Sequence, residues 1–295
     1  MCSLGGQWGT LRACQGGTVR SRERRYWRRR AVTPTLSVVV PTLNEAQNLE
    51  VVLPELAEVL DELPGDHEVI VVDGGSVDGT VETARRVLPD AEVVEQARSG
   101  KGNAVATGIE QASGDVVVMF DADGSADPAE IPHFVEALTD GADFAKGSRF
   151  AEGGGSADIT PVRMLGNAFL NQTANAAFGT RFTDLCYGYN AFWADMAPVL
   201  DLPDADAPPT DDSTVEWGDG FEIETVINVR MAAAGAEIAE VPSVERERLY
   251  GESNLHAVRD GLRVLRTIVV ERLRLRAARR VSGARAATEQ SSAAA

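Results

Sequence analysis

Asp115-Val116-Val117-Val118-Met119-Phe120-Asp121-Ala122-Asp123 reads as a buried strand that runs straight into a pair of carboxylates. Its apolar run is short, rich in β-branched residues and bounded by acids, which suits a strand covered on both faces better than a helix. The same pattern recurs upstream. Leu36-Ser37-Val38-Val39-Val40 ends at Pro41, Val69-Ile70-Val71-Val72 ends at Asp73-Gly74-Gly75-Ser76, and Val93-Val94 marks a further short strand. Between them, residues 45–60 place Leu49, Val52, Leu53, Leu56, Val59 and Leu60 at helical spacing. Further helices are predicted over 78–88, 102–112 and 128–138, the last with Pro128 at its first position, where a missing N–H costs nothing.

The second half is less regular. Strands are predicted over 142–146, 187–193 and 237–241, and helices over 164–178, 221–234 and 255–280, with 221–234 amphipathic and stopped by Gly235. Residues 202–217 hold Pro203, Pro208 and Pro209 among aspartates and read as a surface loop. Strands alternating with helices through short loops predict a doubly wound, mostly parallel α/β sheet. No linker divides it, so one domain is expected over 35–253. It would be preceded by an unpatterned segment over 1–34, either disordered or an over-extended start. A basic amphipathic helix over 254–282 and a disordered tail over 283–295 would follow.

The net charge of −17 is unevenly spread: residues 1–35 carry about +7, residues 244–295 about +5, and the middle about −29. An acidic body argues against a nucleic-acid groove, which needs a basic surface over the fold itself. The basic ends are either solvated tails or contacts to anionic lipid headgroups. Cys2, Cys14 and Cys186 form neither a metal spacing nor a disulfide framework, and His67, His133 and His256 show no zinc pattern. No stretch approaches the 18 apolar residues of a membrane span, and no apolar stretch follows the arginine run at 22–30 as a signal peptide requires. A cytoplasmic protein fits, with contact to the inner face of the membrane as an option.

Open α/β sheets bind ligands beyond the carboxyl ends of their strands. Four polar elements sit at such ends: 41–45, 73–76, 121–123 and 146–149. The first loop reads Pro41-Thr42-Leu43-Asn44-Glu45 and lacks the G-x-G-x-x-G of a dinucleotide site, and no P-loop motif occurs. Two carboxylates two residues apart present hard oxygen ligands suited to Mg²⁺ or Mn²⁺. The tripeptide is weak alone, because Asp204-Ala205-Asp206 repeats it in the Pro-rich loop, where it follows no strand. Asp73 is either a nucleotide contact or a turn residue before glycine. Lys101 is a phosphate contact or a solvated lysine, and Arg149 a bidentate phosphate ligand or the partner of a carboxylate.

As a set, Val40-Pro41-Thr42-Leu43-Asn44-Glu45, Val72-Asp73-Gly74-Gly75-Ser76, Lys101-Gly102-Asn103-Ala104 and Phe120-Asp121-Ala122-Asp123 resemble the family 2 glycosyltransferases. Gly147-Ser148-Arg149, Gly220-Phe221-Glu222-Ile223-Glu224, Glu240-Val241-Pro242 and Arg248-Leu249-Tyr250-Gly251-Glu252-Ser253-Asn254 resemble the dolichyl-phosphate mannose synthase branch, over about 36–256. The resemblance implies a GT-A fold, an NDP-sugar donor, a divalent metal and inversion at the anomeric carbon. It implies that Pro41, Glu45, Asp73 and Lys101 face the nucleotide and that Asp121, Ala122 and Asp123 face ribose and metal. Arg149, Arg248 and Ser253 would then face phosphates. Departures are Ser125 for a glutamine that adds a metal ligand, Gly74 for a second aspartate, and Asn254 for a lysine.

A polyprenyl phosphate acceptor is already an anion, so positioning and charge neutralisation by Arg149, Arg248 and the metal suffice. A sugar hydroxyl on a glycan acceptor needs a base, for which Asp184 and Glu222 are candidates, though either equally serves as an acid orienting an arginine. From another class, a catalytically silent nucleotide-sugar-binding protein fits less well with intact Asp121 and Asp123.

Overall fold

A computed structural model of the chain describes residues 10–11, 30–208, 218–251 and 257–293. In chain order its strands are β1 (Thr10–Leu11), β2 (Leu36–Thr42), β3 (His67–Asp73), β4 (Glu92–Glu95), β5 (Val116–Met119), β6 (Phe144–Ser148), β7 (Gly155–Ser156), β8 (Asn190–Trp193), β9 (Ile238–Pro242) and β10 (Val244–Glu245). Its helices are α1 (Ala46–Glu62), α2 (Thr80–Val87), α3 (Lys101–Gln111), α4 (Ile131–Thr139), α5 (Pro161–Phe178), α6 (Ala197–Leu200), α7 (Ile223–Ala234) and α8 (Ala257–Ala293).

One sheet carries all strands but the short β7–β10 pair, in the order β1-β9-β6-β8-β5-β2-β3-β4. β2 pairs in parallel with β3 and β5, β3 with β4, and β6 with β9. β8 runs antiparallel between β5 and β6, and β1 antiparallel to β9. Being antiparallel to both neighbours, β8 leaves β5 and β6 pointing the same way. The doubly wound, mostly parallel sheet expected from the alternation of elements is therefore what the chain forms.

Period-two geometry explains the continuous apolar strands. Val38 and Val40, Val69 and Val71, and Val116 and Val118 face one core with Leu49, Leu53 and Leu56 of α1 and Phe134 of α4. Val39, Ile70, Val72, Val117 and Met119 face the other core with Val105 of α3, Leu170 of α5, Ile223 of α7 and Val264 of α8. Helix α7 departs from the expected amphipathic form: every residue from Ile223 to Met231 is buried. Up to Met231 it lies between other elements, and only its last turn, Ala232 to Ala234, reaches solvent.

Because β2, β3, β5 and β6 share a direction, the four polar elements of the sequence meet at one edge. Behind that edge a clasp joins the two halves. Buried Arg98 pairs with Asp219 (Nε to Oδ2 2.6 Å, Nη2 to Oδ1 3.1 Å), and its Nη1 donates to the carbonyls of Asp204 (2.7 Å) and Ala207 (2.8 Å). The second Asp-Ala-Asp tripeptide is thus fastened by its backbone while Asp204 and Asp206 point to solvent. The remainder of the expected 202–217 loop lies outside the described residues. Gly102 donates its N–H to the Asp219 carbonyl at 2.8 Å, and a β-carbon on Gly102 would stand 1.7 Å from the Gly218 oxygen. We predict that Gly102→Ala costs about 1–3 kcal/mol, several degrees in Tm, and lowers activity with it. By contrast Gly166→Ala, whose β-carbon meets open space on α5, holds or raises Tm. Differential scanning calorimetry of the two variants checks both outcomes.

Candidate active site

The carboxyl edge of the sheet opens into a cavity of about 310 Å³. Pro41, Thr42, Leu43 and Glu45 enter it from the end of β2, Gly74 from β3, Gln96 from β4, and Lys101 from the start of α3. Asp121, Ala122, Asp123 and Ser125 follow β5, and Arg149 follows β6. Arg163 of α5, Glu224 of α7, Glu245 of β10 and Arg248 complete the far side.

Lys101 is the junction of two halves of the chain. Its Nζ lies 2.7 Å from Asp121 Oδ1 and 2.8 Å from Glu224 Oε1. Burial disfavours the ammonium, but the two carboxylates outweigh it and hold Lys101 protonated, above the ordinary lysine range. Burial likewise pushes the Glu224 carboxyl up, against the pull of Lys101. Glu224 escaped the sequence reading, which favoured Glu222 two residues earlier. Glu222 is buried outside the cavity, where its Oε1 accepts from the Gly218 N–H at 3.3 Å and its Oε2 lies 3.7 Å from Arg263.

A second junction holds the other carboxylate. Arg248 Nη1 lies 3.0 Å from Asp123 Oδ2, its Nη2 meets Glu45, and its Nε donates to the Tyr250 carbonyl at 2.8 Å. Burial raises the pKa of Glu45, opposed by Asn48 and Arg248. Ser125, at the position of the absent glutamine, turns its backbone N–H to Asp123 Oδ1 at 3.0 Å. Arg248 was expected against phosphate; in this geometry it faces two acids.

Arg149 is more completely engaged. Its Nε and Nη2 fork onto Asp184 at 2.7 and 2.9 Å, its Nη1 reaches Glu245 at 3.0 Å, and the guanidinium lies 4.7 Å from the Tyr187 ring centre. Burial alone would push the Asp184 carboxyl up, yet Arg149 reverses this and holds it below the usual range. Asp184 also accepts from Asn167 at 2.9 Å and does not line the cavity. Of its two expected roles, base or orienting acid, the geometry matches the second. Asp73 too stands behind the wall, its Oδ2 capping the turn through the N–H groups of Gly75 and Ser76, both at 2.9 Å. Ser253 lies outside the described residues.

Among the described residues, six carboxylates (Glu45, Asp121, Asp123, Asp158, Glu224 and Glu245) and four cations (Lys101, Arg149, Arg163 and Arg248) line the cavity. With all ionised the wall carries −2, which repels a diphosphate unless a cation enters with it. Asp121 and Asp123 supply hard oxygen donors of the type Mg²⁺ and Mn²⁺ take. Among the described residues no cluster of three or more His, Cys, Asp or Glu forms a complete metal cage. A metal held here would take its remaining ligands from substrate or water.

Residues 37–197 match the Glycosyl transferase family 2. The chain is 32% identical over 245 residues to a dolichyl-phosphate hexose transferase of Haloferax volcanii, covering 81% of this chain and 96% of that one. It is 31% identical over 224 residues to an undecaprenyl-phosphate mannosyltransferase of Micrococcus luteus, covering 74% and 86%. Glucosyl-3-phosphoglycerate synthase of Mycobacterium tuberculosis in complex with UDP shares the fold at 22% identity, with a TM-score of 0.61 over 85% of this chain and 86% of that one. A structure of that enzyme with Mn²⁺, UDP and phosphoglyceric acid aligns with a TM-score of 0.59 over 81% and 78%. The strand-end carboxylate pair, the sheet order and these matches agree, and the chain belongs to glycosyltransferase family 2, a glycosyltransferase of GT-A fold.

Proposed function

We propose that the chain transfers a hexose from an NDP-sugar to a polyprenyl phosphate, with inversion at the anomeric carbon. One observation supports the choice of acceptor: among the described residues, every carboxylate lining the cavity is already ion-paired. Asp121 and Glu224 meet Lys101, Asp123 and Glu45 meet Arg248, Glu245 meets Arg149, and Asp158 meets Arg163. A carboxylate so paired must give up its cation before it takes a proton, and this holds even for Glu45 and Glu224, whose carboxyls burial pushes up. A hydroxyl acceptor would need such a base, whereas a phosphate monoester arrives with its nucleophilic oxygen already charged. The names of the two relatives point to the same acceptor class.

At the donor end, Asp121 and Asp123 would hold Mg²⁺ or Mn²⁺ together with diphosphate oxygens and water. The metal supplies charge neutralisation to the leaving diphosphate. Lys101 brings a fixed positive charge beside Asp121, and Glu224 orients it. At the acceptor end, Arg149 and Arg248 each face two acids, while Arg163 meets Asp158 at 3.0 Å and is the better placed to take an incoming phosphate. Asp184 orients Arg149 rather than moving a proton.

Two helices suit a lipid-borne acceptor, in a catalytic unit taken as 35–253 with α8 appended. Helix α5 exposes apolar side chains: Asn167, Asn171 and Asn175 face the body beside Leu170 and bond the 182–185 segment, while Leu165 (71% exposed) and Phe169 (59%) face out. Helix α8 exposes Leu262, Val269 and Leu273 beside Arg259 and Arg266. An apolar stripe flanked by arginines suits an anionic inner membrane face. Among the described residues no helix is long and apolar enough to cross a membrane.

Incubation with radiolabelled NDP-hexoses and membranes, followed by organic extraction, should move label into the solvent phase; label confined to the aqueous phase contradicts a lipid acceptor. Asp123→Ala should lower transfer by about 10²–10³-fold, the scale of losing one stabilising group. Asp204→Ala, which keeps the carbonyl that Arg98 holds, stays within about twofold on the scale of a surface substitution; equal losses would show that position in the fold does not separate the two tripeptides. For Arg163→Ala, steady-state kinetics should show KM for the lipid phosphate raised about tenfold or more, the cost of one charge-assisted contact, with KM for the donor unchanged.

A further inference from the structure

Lys101, Asp121 and Glu224 converge from α3, the end of β5 and α7, and one further residue stands against all three. Gly188 lies two residues before β8 and lines the cavity. A β-carbon on it would stand 2.7 Å from Glu224 Oε1, 2.8 Å from Lys101 Nζ and 3.2 Å from Asp121 Oδ2. Its φ lies outside the left-handed region, so the backbone at this point accepts an ordinary side chain. What calls for glycine here is the space taken by the three charged groups.

The backbone of Gly188 has no room to withdraw. Asn190 Nδ2 donates to the carbonyls of Tyr187 at 3.2 Å and Gly188 at 3.0 Å, which folds the segment back on itself. Gly147 donates its N–H to the Tyr189 carbonyl at 2.9 Å. The Tyr189 ring packs on Phe120 and Phe134, and its hydroxyl donates to the Asp127 carbonyl at 2.9 Å. Gly188 also differs from Gly102, where the obstructing atoms are backbone. Here they are the tips of three side chains, and tips swing aside at little cost to the fold.

We propose that Gly188 is a positioning residue of the donor site: the side chain it lacks is what lets Lys101 bridge Asp121 and Glu224. A methyl group wedged at this point would part Lys101 from at least one carboxylate. Asp121 would lose its fixed neighbour, and a buried ammonium with fewer partners holds its proton less firmly. The consequence for binding rests on the NDP-sugar donor proposed above; the geometry of the triad does not.

Lys101 and Lys146 are the only lysines of the chain, so acetylation by acetic anhydride, followed by mass spectrometry, reads the triad directly. Lys146 is wholly buried and reports any general loosening. In Gly188→Ala, Lys101 should react about tenfold or more faster than in the wild type, the effect of one pKa unit on the free amine. Lys146 labelling and Tm should stay close to wild type. Adding Glu224→Asp, one methylene shorter, makes room for the methyl group and should slow Lys101 labelling again. Isothermal titration with Mn²⁺ and GDP or UDP should show binding weakened about tenfold or more in Gly188→Ala, the scale of one charge-assisted contact. Unchanged Lys101 labelling, or Lys101 and Lys146 rising together, overturns the positioning role. Faster Lys101 labelling with unchanged nucleotide affinity overturns the tie between the triad and the donor. Wild-type protein that binds neither nucleotide overturns the donor reading, while the labelling still decides the geometry.

Discussion

Lys101 ties Asp121 to Glu224, and Arg248 ties Asp123 to Glu45, so each carboxylate of the strand-end pair is bound to a distant part of the chain. These contacts span 123 residues from Lys101 to Glu224 and 203 from Glu45 to Arg248. They close the two halves of the chain around one cavity. Ion pairs of this kind add little stability at an exposed surface and more specificity in a partly desolvated cleft. Here they gather six carboxylates against four cations among the described residues that line the cavity. An excess of negative charge would make entry of a divalent cation and a diphosphate a coupled event, as proposed above.

The rest of the fold serves that arrangement. Parallel pairing of β2, β3 and β5 brings Pro41, Asp73 and Asp121 to one edge, and the reversed β8 lets β6 deliver Arg149 to the same edge. Arg98 and Asp219 then lock the glycine-flanked Lys101 turn to the segment that starts α7. The turn and Glu224 therefore share one rigid support, which is what a preorganised ion triad requires.

Much of this was legible beforehand. Both-face burial of β2, β3 and β5 produces unbroken Val and Ile runs, and the residue at which each run stops marks the cavity edge. Pro41, Glu45, Lys101, Asp121, Ala122, Asp123, Arg149 and Arg248 all line the cavity. The misplaced residues have physical reasons. Helix α7 reads as amphipathic but is buried on every side from Ile223 to Met231, so its pattern did not tell which way Glu222 and Glu224 point; two residues of helix are about 200° of rotation. Asp184 looked equally like a base or an orienting acid because its partner Arg149 lies 35 residues away, and pairing at that range leaves no local signal.

The claim at the centre of this account is that Asp121 and Asp123 make an incomplete metal site which the donor's diphosphate completes. Titration of Mn²⁺ followed by its electron paramagnetic resonance signal, with and without saturating nucleoside diphosphate, addresses it most directly. Coupled binding predicts weak Mn²⁺ affinity alone and at least about tenfold tighter affinity with nucleotide, with the same factor appearing reciprocally for the nucleotide. Mn²⁺ binding that is equally tight in the absence of nucleotide would contradict it.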